Sequence, residues 1–209
     1  MPNLCNNKVV VTGTKTEISK FKKLVSSNDS HFSFEAILPM PLPLRGTASP
    51  TLIVSQEEYD KWMKSAHEER KQAEMSKDYS IDMESLAGRP LTKELSTLYL
   101  VDYGNDNWYD WAYDNWGTKW DLDEDELQYS EEPTQLTYKF ETAWNPPYGI
   151  YEELVNKFPK LHIDWRYEEE GMDLFGNLAN EELPNREPAR EMQARIETLL
   201  TGMSKSKVG

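Results

Sequence analysis

In the first forty residues, the spacing of the hydrophobic positions changes from that of a strand to that of a helix and back. Residues 8–12 are a β-branched run that is typical of a buried strand. Thr14 and Glu17 then form a capping-box pattern, and apolar residues recur behind them at helical spacing, which predicts a helix to about Ser26. Residues 32–38 are expected to form a strand, because the proline-rich segment that follows cannot continue a ladder. The segment is therefore predicted to be a β-α-β unit.

The middle of the chain is predicted to be helical and irregular. Ser55 and Glu58 make a second capping box, in front of a one-sided apolar stripe that indicates a helix to about Ser76. Residues 77–90 are polar and contain glycine and proline, which favours a loop. The leucines from Leu91 onwards indicate a further helix.

Regular patterning returns in the last third of the chain. Residues 136–143 alternate between apolar and polar positions, as a half-buried strand does, and so do residues 161–167. The prolines at the two ends of 146–159 predict a helix between these strands. Residues 174–178 are expected to form one more short strand, and an amphipathic helix is expected after Pro184.

These elements predict an α+β fold, namely a ferredoxin-like βαβ-βαβ antiparallel sheet with a helical insertion between the halves and a C-terminal helix. The expected organisation is a first ferredoxin-like half at 1–48, a helical and acidic-aromatic insertion at 49–135, a second half at 136–182, and a C-terminal amphipathic helix with its tail at 183–209.

The charge changes the picture of what this fold can bind. The 209 residues carry a formal charge of −14, and sequence-independent binding to nucleic acid or anionic lipid needs a clustered basic surface. Direct nucleic-acid binding and a membrane partner are therefore not expected, and no apolar run approaches the length of a span. The single cysteine, Cys5, and a start without a secretory pattern favour a reducing compartment such as the cytoplasm.

The negative charge is concentrated in one segment. Residues 101–132 hold eleven acids and one base, Lys119, so they carry −10, and the other 177 residues carry only −4. Four of the acids are spaced by four residues, which on one helix would place them in a row about 6 Å apart. Such a row costs stability, which points to a partner. The candidate partner-binding residues are Asp102, Asp106, Trp108, Asp110, Trp111, Asp114, Asp121, Asp123, Glu124 and Asp125.

The alternative for this segment is structural, with the aromatics in the core and the acids on a solvated outer face.

No other pattern in the sequence predicts a catalytic or metal-binding site. The acids from Asp121 to Glu132 resemble a calcium loop, but Glu126 occupies the position that needs glycine. The histidines match no zinc spacing, Cys5 has no neighbouring base, and no phosphate loop or nucleophile elbow is present. No catalytic residue, metal or cofactor is therefore expected.

Five ordered motifs resemble a known family. They are the start Met1–Asn7 with its valine-rich strand, residues 37–41, residues 116–121, residues 140–147, and residues 167–171 with Phe175-Gly176. Together they resemble the YubB/Api-like ferredoxin-fold proteins of plasmids and bacteriophages, over roughly 1–48 and 108–178. The family often has tryptophan where this chain has Leu4. The resemblance implies a ferredoxin-like fold and a mobile-element origin, and it implies no activity.

The sequence thus predicts a non-enzymatic phage- or plasmid-borne binding protein in the cytoplasm of a bacterial host. Its expected partner is a host protein with a basic or nucleic-acid-binding surface, such as a component of anti-phage defence, which it would inhibit or modulate through the acidic aromatic segment as a nucleic-acid mimic. Two alternatives stay open: a regulatory or structural module without mimicry, and an enzyme with a carboxylate or metal site. The sequence leaves the oligomeric state open.

Overall fold

The computed structural model describes residues 3–76 and 87–180. The helices there are α1 (Lys15–Val25), α2 (Phe34–Ile37), α3 (Gln56–Ser76), α4 (Lys93–Tyr103), α5 (Trp108–Trp116) and α6 (Tyr148–Lys157). The strands are β1 (Leu4–Thr12), β2 (Gln128–Glu132), β3 (Gln135–Ala143), β4 (His162–Glu169) and β5 (Leu174–Asn177). Within these two ranges no helix has the length and apolarity needed to cross a bilayer.

The strands form one five-stranded antiparallel sheet in the order β2-β3-β1-β4-β5. β1 is the central strand, and it pairs with β3 on one side and β4 on the other. The path from β1 through α1, β2, β3 and α6 to β4 is the ferredoxin-like arrangement, with β5 added outside β4. The predicted α+β ferredoxin-like antiparallel sheet is therefore confirmed.

Most predicted elements lie where their patterns indicate. Thr14 caps α1 by accepting the Glu17 N–H at 3.3 Å, as the capping box predicts. Ser55 donates its N–H and hydroxyl to the Glu58 carboxylate in front of α3, and accepts the Glu58 N–H in return. Strands β3 and β4 bury every second residue, as expected. The helix expected after Pro184 and most of the loop predicted at 77–90 lie outside the described residues.

The strand predicted at 32–38 is wrong, because the short helix α2 lies there. Ser33 caps this helix by accepting the Ala36 N–H, and the Asp121 carboxylate accepts the N–H groups of Phe34 and Glu35. Capping of free N–H groups stabilises a helix end, and an anion there also meets the positive end of the helix dipole. β2, which the sequence analysis assigned to the insertion, takes the place of the missing strand at the edge of the sheet.

The core lies between one face of the sheet and the helices α1, α2 and α6. Phe32 is fully buried, and its ring contacts those of Tyr138 and Phe140 at centroid distances of 4.8 and 5.5 Å. The buried Trp165 donates its indole N–H to Asn7 at 3.0 Å. The strand aromatics Tyr138, Phe140, Trp165 and Tyr167 are all buried and belong to this core.

The described chain divides into two compact units. The first comprises 3–39 and 112–180 and contains the whole sheet. The second comprises 40–76 and 87–111 and contains α3 and α4. In the second unit, Thr47 forms an isolated parallel β-bridge with Arg89, and Ile53 forms one with Leu91. Arg89 also donates from its guanidinium to the carbonyl of Pro43.

Candidate functional site

The four aspartates spaced by four residues do not form one helical row. α4 ends at Tyr103, and Gly104 follows with a φ of 80° and donates its N–H to the Leu100 carbonyl at 3.1 Å. A left-handed residue at this position ends a helix, and glycine adopts that conformation without a steric penalty. A new helix, α5, begins at Trp108. Asp102 and Asp110 therefore lie on different helices, with Asp106 between them.

Two of these aspartates make hydrogen bonds within the second unit. Asp106 is half-buried and accepts the hydroxyls of Thr51 and Ser96, the latter at 2.5 Å. Asn107 accepts the Asp110 N–H at 2.9 Å and donates its side-chain amide to the Asp110 carboxylate at 2.7 Å, which forms a reciprocal cap on α5. Asp106 is therefore used to join a loop to α4, whereas Asp110 stays exposed beside its cap.

The other predicted residues of this stretch differ in accessibility. Asp102 and Asp114 are exposed, and Trp108 is half-buried. Trp111 is only 5% exposed, which leaves little of its ring for a partner. Of the ten predicted partner-binding residues, those from Asp102 to Trp111 belong to the second unit, and those from Asp114 to Asp125 belong to the first.

The second acidic stretch, residues 119–127, is here called the acidic loop, and two of its carboxylates anchor it to the first unit. Asp121 accepts the Ser33 hydroxyl and the Phe34 N–H, both at 2.7 Å. Glu124 accepts the Ser30 hydroxyl at 2.6 Å and the His31 N–H at 3.2 Å. Hydrogen bonds to charged groups are stronger than neutral ones, so these contacts hold the loop in a defined conformation.

The remaining acids of the acidic loop point to solvent. Asp123, Asp125 and Glu126 are exposed, and Asp123 also accepts the Asp125 N–H at 3.0 Å. Trp120, at the start of the same loop, is 45% exposed. The loop thus presents three carboxylates and an aromatic ring to solvent from an anchored backbone.

A lysine lies between two tryptophans beside this loop. The Lys119 ammonium is 3.7 Å from the Trp120 ring centroid and 4.6 Å from that of Trp144. Both distances are within the range of cation–π attraction. Trp144 has a φ of 65°, which is rare for a bulky residue, and it donates its N–H to the Asn3 carbonyl. Backbone strain of this kind is often found at functional sites.

This cluster of Lys119, Trp120 and Trp144 was not predicted from the sequence, because its members come from two distant motifs. Residues 116–121 and 140–147 are two of the motifs quoted for the family resemblance, and the structure packs them against each other. Gly117, with a φ of 92°, lies so close to the Pro146–Tyr148 backbone that a Cβ would be 2.8 Å from the Tyr148 nitrogen. Thr118 donates its hydroxyl to the Ala143 carbonyl at 3.2 Å. The resemblance of both motifs to one family was the sequence signal that could have indicated this contact.

Cys5 is fully buried in β1. Burial raises the pKa of its thiol to about 12, so the reactive thiolate is disfavoured at neutral pH. Over residues 3–76 and 87–180 no three side chains of the metal-binding types come together. The carboxylates of the acidic loop either anchor the loop, as Asp121 and Glu124 do, or are exposed.

Comparison with known proteins places a known kind of domain at this site. A family model described as the ferredoxin-like domain in Api92-like protein matches residues 115–182. Residues 115–182 are a ferredoxin-like domain similar to that of Api92-like proteins. This Api92-like domain contains the acidic loop, the Lys119 cluster, and the strands β2 to β5. The central strand β1 lies outside the match, so the N-terminal segment completes the sheet.

Other comparisons add little. The crystal structure of protein Api92 from Yersinia pseudotuberculosis is 11% identical and aligns over 85% of this chain and 93% of its own, with a TM-score of 0.41. No curated protein matches the sequence. The match of the Api92-like domain agrees with a ferredoxin-fold family of unknown function.

Proposed function

We propose that this chain is a non-enzymatic binding protein of a phage or plasmid, and that its acidic loop binds a basic surface on a host protein in the bacterial cytoplasm. The proposal rests on one observation, namely that some carboxylates of the loop are hydrogen-bonded and others are exposed. Asp121 and Glu124 are used as anchors, whereas Asp123, Asp125 and Glu126 are left exposed.

Several observations support a macromolecular partner. A loop that is already ordered loses little conformational entropy on binding, which favours affinity. Exposed carboxylates of one sign attract a basic surface and accelerate encounter with it. Trp120 lies beside the carboxylates, and tryptophan is frequent among residues that dominate binding energy. The partner surface that fits these features carries lysine and arginine, as surfaces that bind nucleic acid do, so that this protein would inhibit or modulate such a partner as a nucleic-acid mimic.

The experiment is a pull-down from bacterial host lysate with the tagged full chain and two variants of equal charge. The loop variant carries Asp123→Asn and Asp125→Asn, and the control variant carries Glu57→Gln and Glu68→Gln on the exposed face of α3. We expect a host protein that is retained by the wild type and by the control, lost with the loop variant, and released by added duplex DNA.

The two arms test separate parts of the proposal. Equal retention by the loop variant would refute binding through the acidic loop. Retention that duplex DNA does not compete would refute mimicry while leaving a basic protein partner. A third variant, Asp102→Asn with Asp110→Asn, applies the same test to the exposed aspartates of the second unit.

A further inference from the structure

The face of the sheet that turns away from the core is solvent-exposed and carries ordered charges. Alternate residues of each strand point to this face, and in β1 they are Leu4, Asn6, Lys8, Val10 and Thr12. A shallow concavity of about 580 Å³ lies over the middle of the face, and the residues lining it include Lys8, Lys139 and Arg166. One residue of the acidic loop, Glu126, lines this concavity, whereas Asp123 and Asp125, which are changed in the test of the proposed function, do not.

Three cations stand side by side across the three central strands. Lys8 is directly opposite Lys139 of β3 on one side and Arg166 of β4 on the other, and all three residues are exposed. We call Lys139, Lys8 and Arg166 the basic row. Directly opposed side chains lie about 5 Å apart, and like charges at that distance are destabilising. Arg166 also contacts Asp164 at 3.2 Å, but its side chain is 70% exposed and such pairs contribute little.

Three acids form a parallel row two residues further along the strands. Asn6 of β1 is opposite Glu141 of β3 and Glu168 of β4, and both glutamates are exposed. Glu126 precedes β2 by two residues and lines the same concavity. We call Glu126, Glu141 and Glu168 the acidic row. The two rows are about 7 Å apart, because two strand residues span that distance.

From these two rows we infer that the open face of the sheet binds a second copy of this chain, face to face and about a two-fold axis. Take an axis that lies parallel to the rows and midway between them. A rotation of 180° about it places each row of one copy over the opposite row of the other and keeps each strand over its own equivalent. Lys139 then faces Glu141 of the second copy, and Arg166 faces its Glu168.

The same rotation matches the rest of the face. Lys8 comes over Asn6 of the second copy, with a glutamate on either side of that residue. On β1, Leu4 lies two residues beyond the acidic row, and Val10 lies two residues beyond the basic row. The rotation places Leu4 of one copy over Val10 of the other, so that apolar surface contacts apolar surface. An axis along the strands would instead place the basic row on itself. The charge pattern therefore selects one of the two face-to-face arrangements.

Other partners fit this face less well. A polyanion would meet the basic row favourably but would also meet the acidic row about 7 Å away. A second copy satisfies both rows at once, as the self-complementary interface of a two-fold dimer requires. The strands give a face of roughly 570 Å² at ordinary strand spacing. Two faces thus bury about 1,100 Å², close to the lower limit for specific interfaces. The dimer should accordingly be concentration- and salt-dependent.

The experiment is sedimentation equilibrium of the full chain over a wide concentration range at low and high salt. We expect a monomer–dimer equilibrium that shifts towards monomer as salt is added, because the contacts are ionic. Lys139→Glu sets carboxylate against carboxylate across the interface, so it should weaken dimerisation at least tenfold. The control is Lys20→Glu on α1, where the lysine is exposed and forms an ion pair with Glu17. This variant should leave dimerisation unchanged.

Rescue by a second charge reversal separates the interface from general effects on folding. Lys139→Glu combined with Glu141→Lys restores opposite charges in the dimer, so dimerisation should return. A variant with Lys139→Glu and Arg166→Glu, mixed with one carrying Glu141→Lys and Glu168→Lys, should give a heterodimer although neither dimerises alone. A wild type that stays monomeric at the highest concentration, or a dimer that ignores these reversals, overturns the inference. Neither outcome bears on the acidic loop, whose test uses different residues.

Discussion

Asp121 connects the acidic loop to the start of α2 and so has a structural task. Its carboxylate accepts the Ser33 hydroxyl and the N–H groups of Phe34 and Glu35. The neighbouring exposed acid Asp123 accepts one N–H within its own turn. Two carboxylates of one short loop therefore differ in function because one reaches a helix end and the other does not.

Asp121→Asn is expected to destabilise the protein by about 2 kcal/mol, because it removes the charge from the bonds to a helix N-terminus. It also leaves one acceptor oxygen for the four donors that the carboxylate now binds, which include the Leu122 N–H. Asp123→Asn, the control, should change stability by less than about 0.5 kcal/mol, as surface substitutions usually do. Urea unfolding of both variants measures the difference. Equal stabilities for the two variants would contradict the anchoring role of Asp121.

Cys5 gives a pH dependence with a definite sign. Burial raises the pKa of its thiol from 9.0 to about 12, so between these values the folded state keeps a proton that the unfolded state loses. Stability is therefore complete below pH 9 and falls as the pH rises towards 12. Urea unfolding across this range should show a decline of up to about 1.4 kcal/mol per pH unit from this group.

Cys5→Ala separates this contribution from others in the same range, because burial also raises the pKa of Tyr138. The variant should lose stability at every pH through the cavity it creates, but its alkaline decline should be shallower than that of the wild type. Parallel curves for the two proteins would show that the thiol does not contribute. In the folded state the thiol should also resist alkylation at neutral pH, because it is fully buried.

At the scale of elements, the contact between the 116–121 and 140–147 motifs fixes how α5 leads into the acidic loop. Gly117→Ala should be strongly destabilising, because the φ of 92° disfavours any side chain and the new Cβ would lie 2.8 Å from backbone nitrogen of Tyr148. Gly88→Ala is the control, since Gly88 has a φ of 94° but no atom within 4 Å of the added Cβ.

The expected losses are about 1–2 kcal/mol for Gly88→Ala, from conformation alone, and clearly more for Gly117→Ala, from conformation and close contact together. Thermal unfolding followed by circular dichroism measures both. If the two variants were equally stable, the packing of the two motifs would not matter to the fold.

The elements also show where sequence patterns were sufficient. Helices α1 and α3 were predicted from capping boxes, whose hydrogen bonds join residues only three apart. Strands β3 and β4 were predicted from alternation, because one face of each is buried. α2 was not, because Phe32, Phe34 and Ile37 are all buried and a short apolar run does not distinguish a buried strand from a buried helical turn.

At the scale of the whole molecule, the first unit is assembled from two separated segments. β1 pairs with β3 and β4, and both of those strands belong to the Api92-like domain at 115–182. A fragment of residues 112–185 should therefore lack a cooperative unfolding transition, because its sheet would have no central strand. Addition of a 1–39 peptide should restore the transition, and a peptide with Val9→Asp and Val11→Asp, two fully buried positions, should not.

Circular dichroism and thermal unfolding of the mixtures test this directly. A fragment of 112–185 that unfolds cooperatively on its own would show that the N-terminal strand is dispensable. The second unit is expected to make no difference to the complementation, since it contributes no strand to the sheet.

The sequence alone determined the local structure of most described elements, the burial of the strand aromatics, and the position of the concentrated negative charge, because periodicity, capping residues and charge act over a few neighbouring residues. Only the tertiary structure decided which carboxylates are anchors and which are exposed. Asp121 reaches a helix end 87 residues away in the chain, and Glu124 reaches a serine 94 residues away.

The same holds for the sheet and its open face. Which strand lies beside which, and therefore that Lys8, Lys139 and Arg166 form a row, depends on pairings between residues more than 100 positions apart. Such pairings are selected by the shared core on the other face of the sheet, and no local pattern encodes them. The charge of −14 was evident from the sequence, but its division into internal anchors, an exposed loop and two opposed rows follows from the fold.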